Sequence, residues 1–158
     1  IRYRLVGSEM CIRDSFDIVQ PDAAFFGEKD YQQYLVIKKM TESLKLNTRI
    51  ICVKTVRDIN GLPLSSRNNY LSGQEFKIAI KINKLLKKLP PLIRTKLKIN
   101  KILNHTKKVL LDHGVDKIDY LTVLNDDLSV RKKISDKSRI FIAAKIGNTR
   151  LILSLIHI

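Results

Sequence analysis

The sequence predicts an α/β fold in two parts: a strand–helix–strand unit with parallel strands, then a small α+β domain with antiparallel strands. Three observations predict it. The short apolar run Ala23-Ala24-Phe25-Phe26 does not alternate, as strands buried on both faces do not, and it closes on Gly27. A helical apolar stripe, Val36, Met40 and Leu44, follows and leads into the β-rich run RIICVKTV from Arg49 to Val56. Further on, helical patterns give way to two strand patterns, the order of elements in an α+β domain.

Residues Ile1 to Ser15 show neither helical nor strand periodicity over a useful length, and Arg2, Arg4, Glu9 and Asp14 interrupt any run long enough for a signal peptide. They are expected to be a foreign flank, as is the bare apolar end from Leu153, LSLIHI. Phe16 to Gln20 is an apolar lead-in of either type, and Pro21-Asp22 breaks it. After the strand at Ala23 to Phe26, Asp30 and Gln33 have capping-box spacing, which starts a helix near Tyr31 that runs to about Lys45. The strand from Arg49 completes a parallel crossover, expected to be right-handed.

The segment RDINGLPLSSRNN, Arg57 to Asn69, is a polar loop punctuated by Asn60-Gly61 and Pro63. A helix begins at Ser72, with Glu75 completing S-x-x-E, and continues through Ala79, Ile82, Leu86 and Leu89 until Pro90-Pro91. Another spans roughly Arg94 to His113 and ends at Gly114. Ile118 to Leu124 and Arg139 to Ile146 read as strands joined through Asn125-Asp126-Asp127 and a basic loop, and Gly147-Asn148 turns the chain into Leu151-Ile152. The boundary between the two parts is expected near Leu64.

With 158 residues, 44% of them hydrophobic, the chain can bury a real core, and no apolar run reaches the ~18 residues of a membrane span. Two cysteines, Cys11 and Cys52, make neither a disulfide framework nor a metal site and fit a reducing, cytoplasmic setting. The formal charge of +15 would attract polyanions, so a basic nucleic-acid-binding module is the rival class. Against it, the lysines are spread through helices, aromatics make up 6% of the chain, and no recognition motif accompanies the charge. That rival predicts binding that weakens steeply with salt and is indifferent to nucleotide.

Open parallel sheets take ligands at the carboxyl ends of their strands. Two polar loops leave those ends, FGEKD and the loop carrying Leu64-Ser65-Ser66-Arg67, and they are expected to face one crevice. A helix terminus offers N–H groups to an anion, Lys29 a point charge, Arg67 a bidentate fork, and Ser65 and Ser66 hydroxyl donors, a set suited to polyphosphate. Asp30 would orient Lys29 or hold a magnesium-bound water, or is simply a helix cap. Gln33 is a second capping group or a donor to a hydroxylated acid, and Glu28 a solvated charge.

At these residues the chain resembles the pantoate–beta-alanine ligase family: QPDAAFFGEKDYQQ, TVRDINGLPLSSRNNYLS, IDYLTVLN and IFIAAKIGNTRLI look like its successive signature segments, between Phe16 and Ile152. The resemblance implies a Rossmann-like nucleotidyltransferase domain, here partial, followed by an α+β lid. It implies ATP- and magnesium-dependent condensation of pantoate with beta-alanine through a pantoyl-adenylate, and full-length proteins that are typically homodimers without nucleic-acid or membrane partners. Matched position by position, Gly27, Glu28, Lys29 and Asp30 correspond to the ATP-binding segment and Gln33 to the pantoate-binding glutamine. Val56 corresponds to an adenine-contacting backbone position, and Leu64, Ser65, Ser66 and Arg67 to the mobile phosphate-binding loop. Lys29, Ser65, Ser66 and Arg67 are the implied catalytic residues, acting electrostatically, and no protein metal ligand is implied.

The family's H-x-G-H segment and its further substrate-binding glutamine have no counterpart here, and His105, His113 and His157 are assigned no catalysis. The chain therefore reads as a C-terminal portion: 16–64 the end of the Rossmann-like domain, 65–152 the lid, 1–15 and 153–158 foreign ends. Little or no turnover is expected of it alone.

Overall fold

The computed structural model describes residues 6–94, 99–128 and 138–157, with the side chains of 6–9 and 153–157 left aside. The chain falls into two compact units, Ile1–Lys54 and Thr55–Ile158.

In the first unit, α1 (Val6–Val19) precedes β1 (Ala23–Gly27), a 3-10 turn (Glu28–Asp30), α2 (Tyr31–Ser43) and β2 (Arg49–Val53). β1 and β2 pair in parallel with Ala23 opposite Arg49 and Gly27 opposite Val53, so the predicted crossover is formed. α2 covers the pair through a stripe centred on Ile37, which is fully buried, with Tyr31 and Thr41 buried beside it. Thr41 returns its hydroxyl to the Lys38 carbonyl at 2.8 Å, satisfying a polar group on that buried face. The helix ends two residues before the expected Lys45, where Lys45 takes φ +52 and the Leu46 N–H closes onto the Thr41 carbonyl at 3.0 Å.

α1 corrects the expectation of no regular structure before Ser15. Its apolar stripe is too thin to read: of its residues from Met10 onward only Phe16 is buried, while Ile18 and Val19 are exposed. Local contacts support it, including an Arg13–Asp17 pair at 3.7 Å, one turn apart, and a Ser15 hydroxyl donating to the Cys11 carbonyl at 2.7 Å. Residues 1–5 of that segment lie outside the described residues.

The second unit begins with the polar loop, whose 3-10 turn spans Ser66–Tyr70, and continues through α3 (Gly73–Lys87), α4 (Leu89–Arg94) and α5 (Ile99–Asp112). Then β3 (Lys117–Leu124), β4 (Arg139–Ile146) and β5 (Thr149–His157) form an antiparallel sheet in the order β3-β4-β5. α3 starts on the predicted capping box: the Glu75 carboxylate accepts from the Ser72 N–H at 2.7 Å, and the Ser72 hydroxyl accepts from the Glu75 N–H at 3.3 Å. Pro90-Pro91 ends nothing by itself. Both prolines sit in the first turn of α4, where N–H groups have no helical acceptor, and the break falls at Lys88. Part of the predicted Arg94–His113 helix, residues 95–98, and the basic loop within 129–137 lie outside the described residues.

Gly114 takes φ +97 at the end of α5, and the following Val115 N–H reaches the Leu110 carbonyl at 3.2 Å, the αL stop expected of glycine there. The core packs Ala79, Ile82 and Leu86 of α3 and Leu110 of α5 against Ile140, Ile142, Ala144 and Ile146 of the central strand β4. Leu62, from the polar loop, is buried in the same cluster. That anchor explains why residues 55–64 pack with the second unit, ahead of the boundary expected at Leu64.

Candidate functional site

The first predicted segment lies at the carboxyl end of β1. Gly27 is its last residue, in extended backbone with open space where a side chain would project. Glu28, Lys29 and Asp30 make the 3-10 turn, with Lys29 half-buried and Asp30 exposed, and Gln33 lies half-buried in the first turn of α2. Asp30 is the N-cap residue by position, yet its φ of −103 and ψ of 49 are not the extended backbone that capping uses, and its side chain makes no capping bond. The helix-cap alternative for Asp30 is therefore corrected. The first N–H groups of α2 go without it, at the end where a helix favours negative charge.

The second segment is a closed hairpin with a short exposed loop at its mouth. Arg57 bridges Pro63, the Asp58 N–H donates to the Leu62 carbonyl at 2.9 Å, and the Leu64 N–H donates to the Val56 carbonyl at 3.0 Å. Val56 and Leu64, both implied by the resemblance, are thus hydrogen-bonded neighbours, and β2 stops at Val53, opposite the last residue of β1, rather than at the expected Val56. The Asp58 carboxylate accepts from the Asn60 and Leu62 N–H groups at 2.9 and 2.7 Å, an Asx turn that shapes the tip. Arg57 Nη1 donates to the Gly61 carbonyl at 3.0 Å and lies 3.5 Å from Asn83 Oδ1 on α3.

Beyond Leu64, the Ser65 hydroxyl caps the 3-10 turn by accepting from the Arg67 N–H at 3.3 Å, and Ser66 and Arg67 are exposed. Asn68 refastens the chain: its amide donates to the Pro63 carbonyl at 2.9 Å. Four residues, Leu64 to Arg67, therefore span two fixed points, with the Ser66 hydroxyl and the Arg67 guanidinium exposed and the Ser65 hydroxyl half-buried as the turn's cap. That is a set of donors able to fold around phosphate oxygens.

Sequence reasoning passes over Arg57, Asp58, Asn68 and Asn83, which build the mount for this loop. The signal at Asn83 is legible, because an amide interrupts the stripe Ala79, Ile82, Leu86 of α3. His105 and His113 are exposed on α5 and at its end, where His113 Nδ1 contacts the Val109 carbonyl at 2.7 Å; His157 lies on β5. Among the described residues, no three His, Cys, Asp or Glu side chains group as a metal site, and no helix is long and apolar enough to cross a membrane.

A profile of the family described as Pantoate-beta-alanine ligase matches residues 6–156. The chain belongs to the pantoate–beta-alanine ligase family. The match takes in 6–15 and 153–156, which the sequence alone marks as foreign ends. Pantothenate synthetase of Shewanella oneidensis is 41% identical over 138 residues, 87% of this chain and 49% of the relative; that of Thermosipho africanus is 37% identical over 142 residues, 89% and 51%. The chain thus spans about half the length of the curated relatives it matches.

Solved structures agree with the fold. Pantothenate synthetase from Thermus thermophilus superposes with a TM-score of 0.85 at 31% identity, covering 94% of this chain and 54% of that one. The Francisella tularensis pantoate–beta-alanine ligase, solved as a complex with beta-gamma ATP and beta-alanine, gives 0.74 at 30% identity over 96% and 49%. The α/β class expected from the sequence, a parallel pair followed by an antiparallel sheet in an α+β arrangement, is the one observed.

Proposed function

We propose that the chain is the C-terminal portion of an ATP-dependent ligase that joins pantoate to beta-alanine. In the first step the pantoate carboxylate attacks the α-phosphorus of ATP and pyrophosphate leaves. In the second, the beta-alanine amine attacks the acyl carbon of the pantoyl-adenylate, forming the amide of pantothenate and releasing AMP. The observation that carries this reading is a relative, aligned over 96% of this chain, that was solved with a nucleotide and beta-alanine bound.

In this reading Gly27 to Asp30 and the Leu64–Arg67 loop hold ATP, with Val56 offering backbone to the adenine. Lys29, Ser65, Ser66 and Arg67 meet the negative charge that builds on the transferring phosphate, an electrostatic contribution. Gln33 donates to pantoate. Magnesium would supply charge neutralisation on the phosphates. Asp30, exposed and not engaged as a cap, fits an ion held mainly by phosphate and water, since such sites use one or two carboxylates. A cytoplasmic setting, with Cys11 and Cys52 as free thiols, belongs to the same proposal.

The test is pantoate-dependent pyrophosphate release by the chain alone and by the chain supplied with the unmatched half of the Shewanella oneidensis relative. Little or no release is expected alone, and release is expected on mixing. Arg67→Ala in the mixture should lower the rate by about 10²–10³, the cost of losing a donor aimed at developing charge. No release from a mixture whose two parts are shown to be folded would overturn the assignment.

A further inference from the structure

The way the phosphate-binding loop is held can be traced to one buried side chain, given the reading of Leu64–Arg67 above. Asn83 is 1% exposed, on a face of α3 whose other buried members, Ala79, Ile82 and Leu86, are apolar. A buried amide costs free energy unless its polar atoms are used, and an aliphatic residue would fill the same stripe without that cost. Its surroundings say what the amide does. Oδ1 faces Arg57 Nη1 at 3.5 Å, and the same nitrogen donates to the Gly61 carbonyl at 3.0 Å. Nδ2 lies 2.6 Å from where a side chain on Gly61 would begin, so the amide lies against the hairpin tip at a residue with φ +80.

We propose that Asn83 is a positioning residue for the Leu64–Arg67 loop, acting through Arg57 and Gly61. The hairpin is a closed unit whose strands are joined at Val56–Leu64, Arg57–Pro63 and Asp58–Leu62. Leu62 fixes its depth in the core, but an apolar contact is not directional. Asn83 and the Arg57 guanidinium, whose Nη1 faces both Asn83 and the Gly61 carbonyl, supply the direction. The four loop residues leave from the hairpin's mouth, so a tilt of the hairpin moves the Ser65 and Ser66 hydroxyls and the Arg67 guanidinium together. Displacements near 1 Å are large for groups that must meet phosphate oxygens.

The experiment separates positioning from mere stability, using the full chain with Asn83→Leu, Asn83→Asp and Arg57→Lys. Asn83→Leu keeps the volume and the stripe but loses the acceptor. Its melting temperature should stay at or above the parent's, and the amides of Ile140 to Ile146 should stay protected from hydrogen exchange. The Leu62 and Leu64 amides should exchange about tenfold faster, and ATP, titrated calorimetrically, should bind about tenfold more weakly, as for loss of one charge-assisted contact. Asn83→Asp, which retains the acceptor, should return both values to within about twofold of the parent. Arg57→Lys, which removes the fork but keeps the charge, should loosen the same amides and decides the matter if Asn83→Leu does not fold.

Parent-like exchange at Leu62 and Leu64 in the folded Asn83→Leu protein would overturn the proposal, as would an Asn83→Asp protein as loose as Asn83→Leu. If the parent chain itself fails to bind ATP while Asn83→Leu still loosens the hairpin, the nucleotide reading falls and the role of Asn83 in holding the loop stands.

Discussion

Two pairs of residues with the same spacing behave differently, and the difference is a backbone angle. Ser72-x-x-Glu75 and Asp30-x-x-Gln33 both have the form of a capping box. Ser72 has φ −63 and ψ 164, the extended backbone that turns its side chain onto the helix end, and the box closes in both directions. Asp30 is the last residue of a 3-10 turn, at ψ 49, and its carboxylate makes no capping bond to the helix. Spacing is legible in sequence; the angle set by the preceding turn is not.

The closed box carries a pH signature. The Ser72 N–H, then its hydroxyl, hold the Glu75 carboxyl below its ordinary value, against opposing effects of burial and the Asp116 charge. Asp119 is held low too, first by Arg150, whose Nε donates to it at 2.6 Å across the sheet, and then by Lys117. In both cases the folded pKa is below the unfolded one. Their stabilisation is therefore complete above the unfolded pKa and drains away as pH falls through the folded one. Melting temperatures followed from pH 7 into the acid range should fall less steeply for the Glu75→Gln/Asp119→Asn double variant than for the parent. Because both groups face solvent, the difference should be small and should shrink further in salt. Parallel acid limbs would show that neither carboxylate has the folded-state partner assigned to it.

At the scale of elements, legibility follows the depth of burial. β4 reads as an unbroken apolar run because its residues from Ile140 to Ala144 are all buried, and its bounds are those expected from the sequence. α1 and α4 are hidden for opposite reasons. From Met10 onward α1 buries too little to show a stripe, and the two prolines of α4 look like a stop although a helix accepts them in its first turn.

The contact of α3 with the sheet is the main support of the second unit, and Leu86 tests it. It is fully buried between Ala79, Ile82 and the sheet cluster, whereas Leu92 on α4 is 47% exposed and outside that cluster. Leu86→Ala should cost about 2–5 kcal/mol in urea unfolding, removing transfer energy and leaving a cavity. Leu92→Ala should fall within about 0.5 kcal/mol of the parent, as surface changes do. Equal losses at the two positions would mean that α3 does not carry the core. The mount of the candidate loop is only partly legible because it depends on contacts between elements: Asn60-Gly61 marks a turn in any sequence, but the partner that fixes it, Asn83, lies across the fold.

For the molecule as a whole, the two units differ in how completely they cover their sheets. Parallel strands are ordinarily covered on both faces, and the non-alternating run from Ala23 to Phe26 has the composition for it. In the first unit α2 covers one face of the β1–β2 pair. On the other, Phe25 and Val53, whose register partners Ile51 and Gly27 share that face, are 66% and 41% exposed. The sequence composition thus anticipates a deeper burial than this chain achieves by itself. A two-stranded sheet is also marginal in water, so β1 and β2 amides should exchange faster than those of β4.

The open face should be adhesive, and Phe25 should dominate it. Burying one Phe side chain is worth about 1.5–3 kcal/mol, roughly tenfold or more in an association constant. Phe25→Thr keeps a strand-compatible side chain and removes the ring. In sedimentation experiments its self-association should weaken by about tenfold relative to the parent, and its binding of a hydrophobic dye should fall, with the circular dichroism of the fold unchanged. A variant that self-associates and binds dye like the parent would place the adhesive surface elsewhere, because no other aromatic ring stands on that face of the pair.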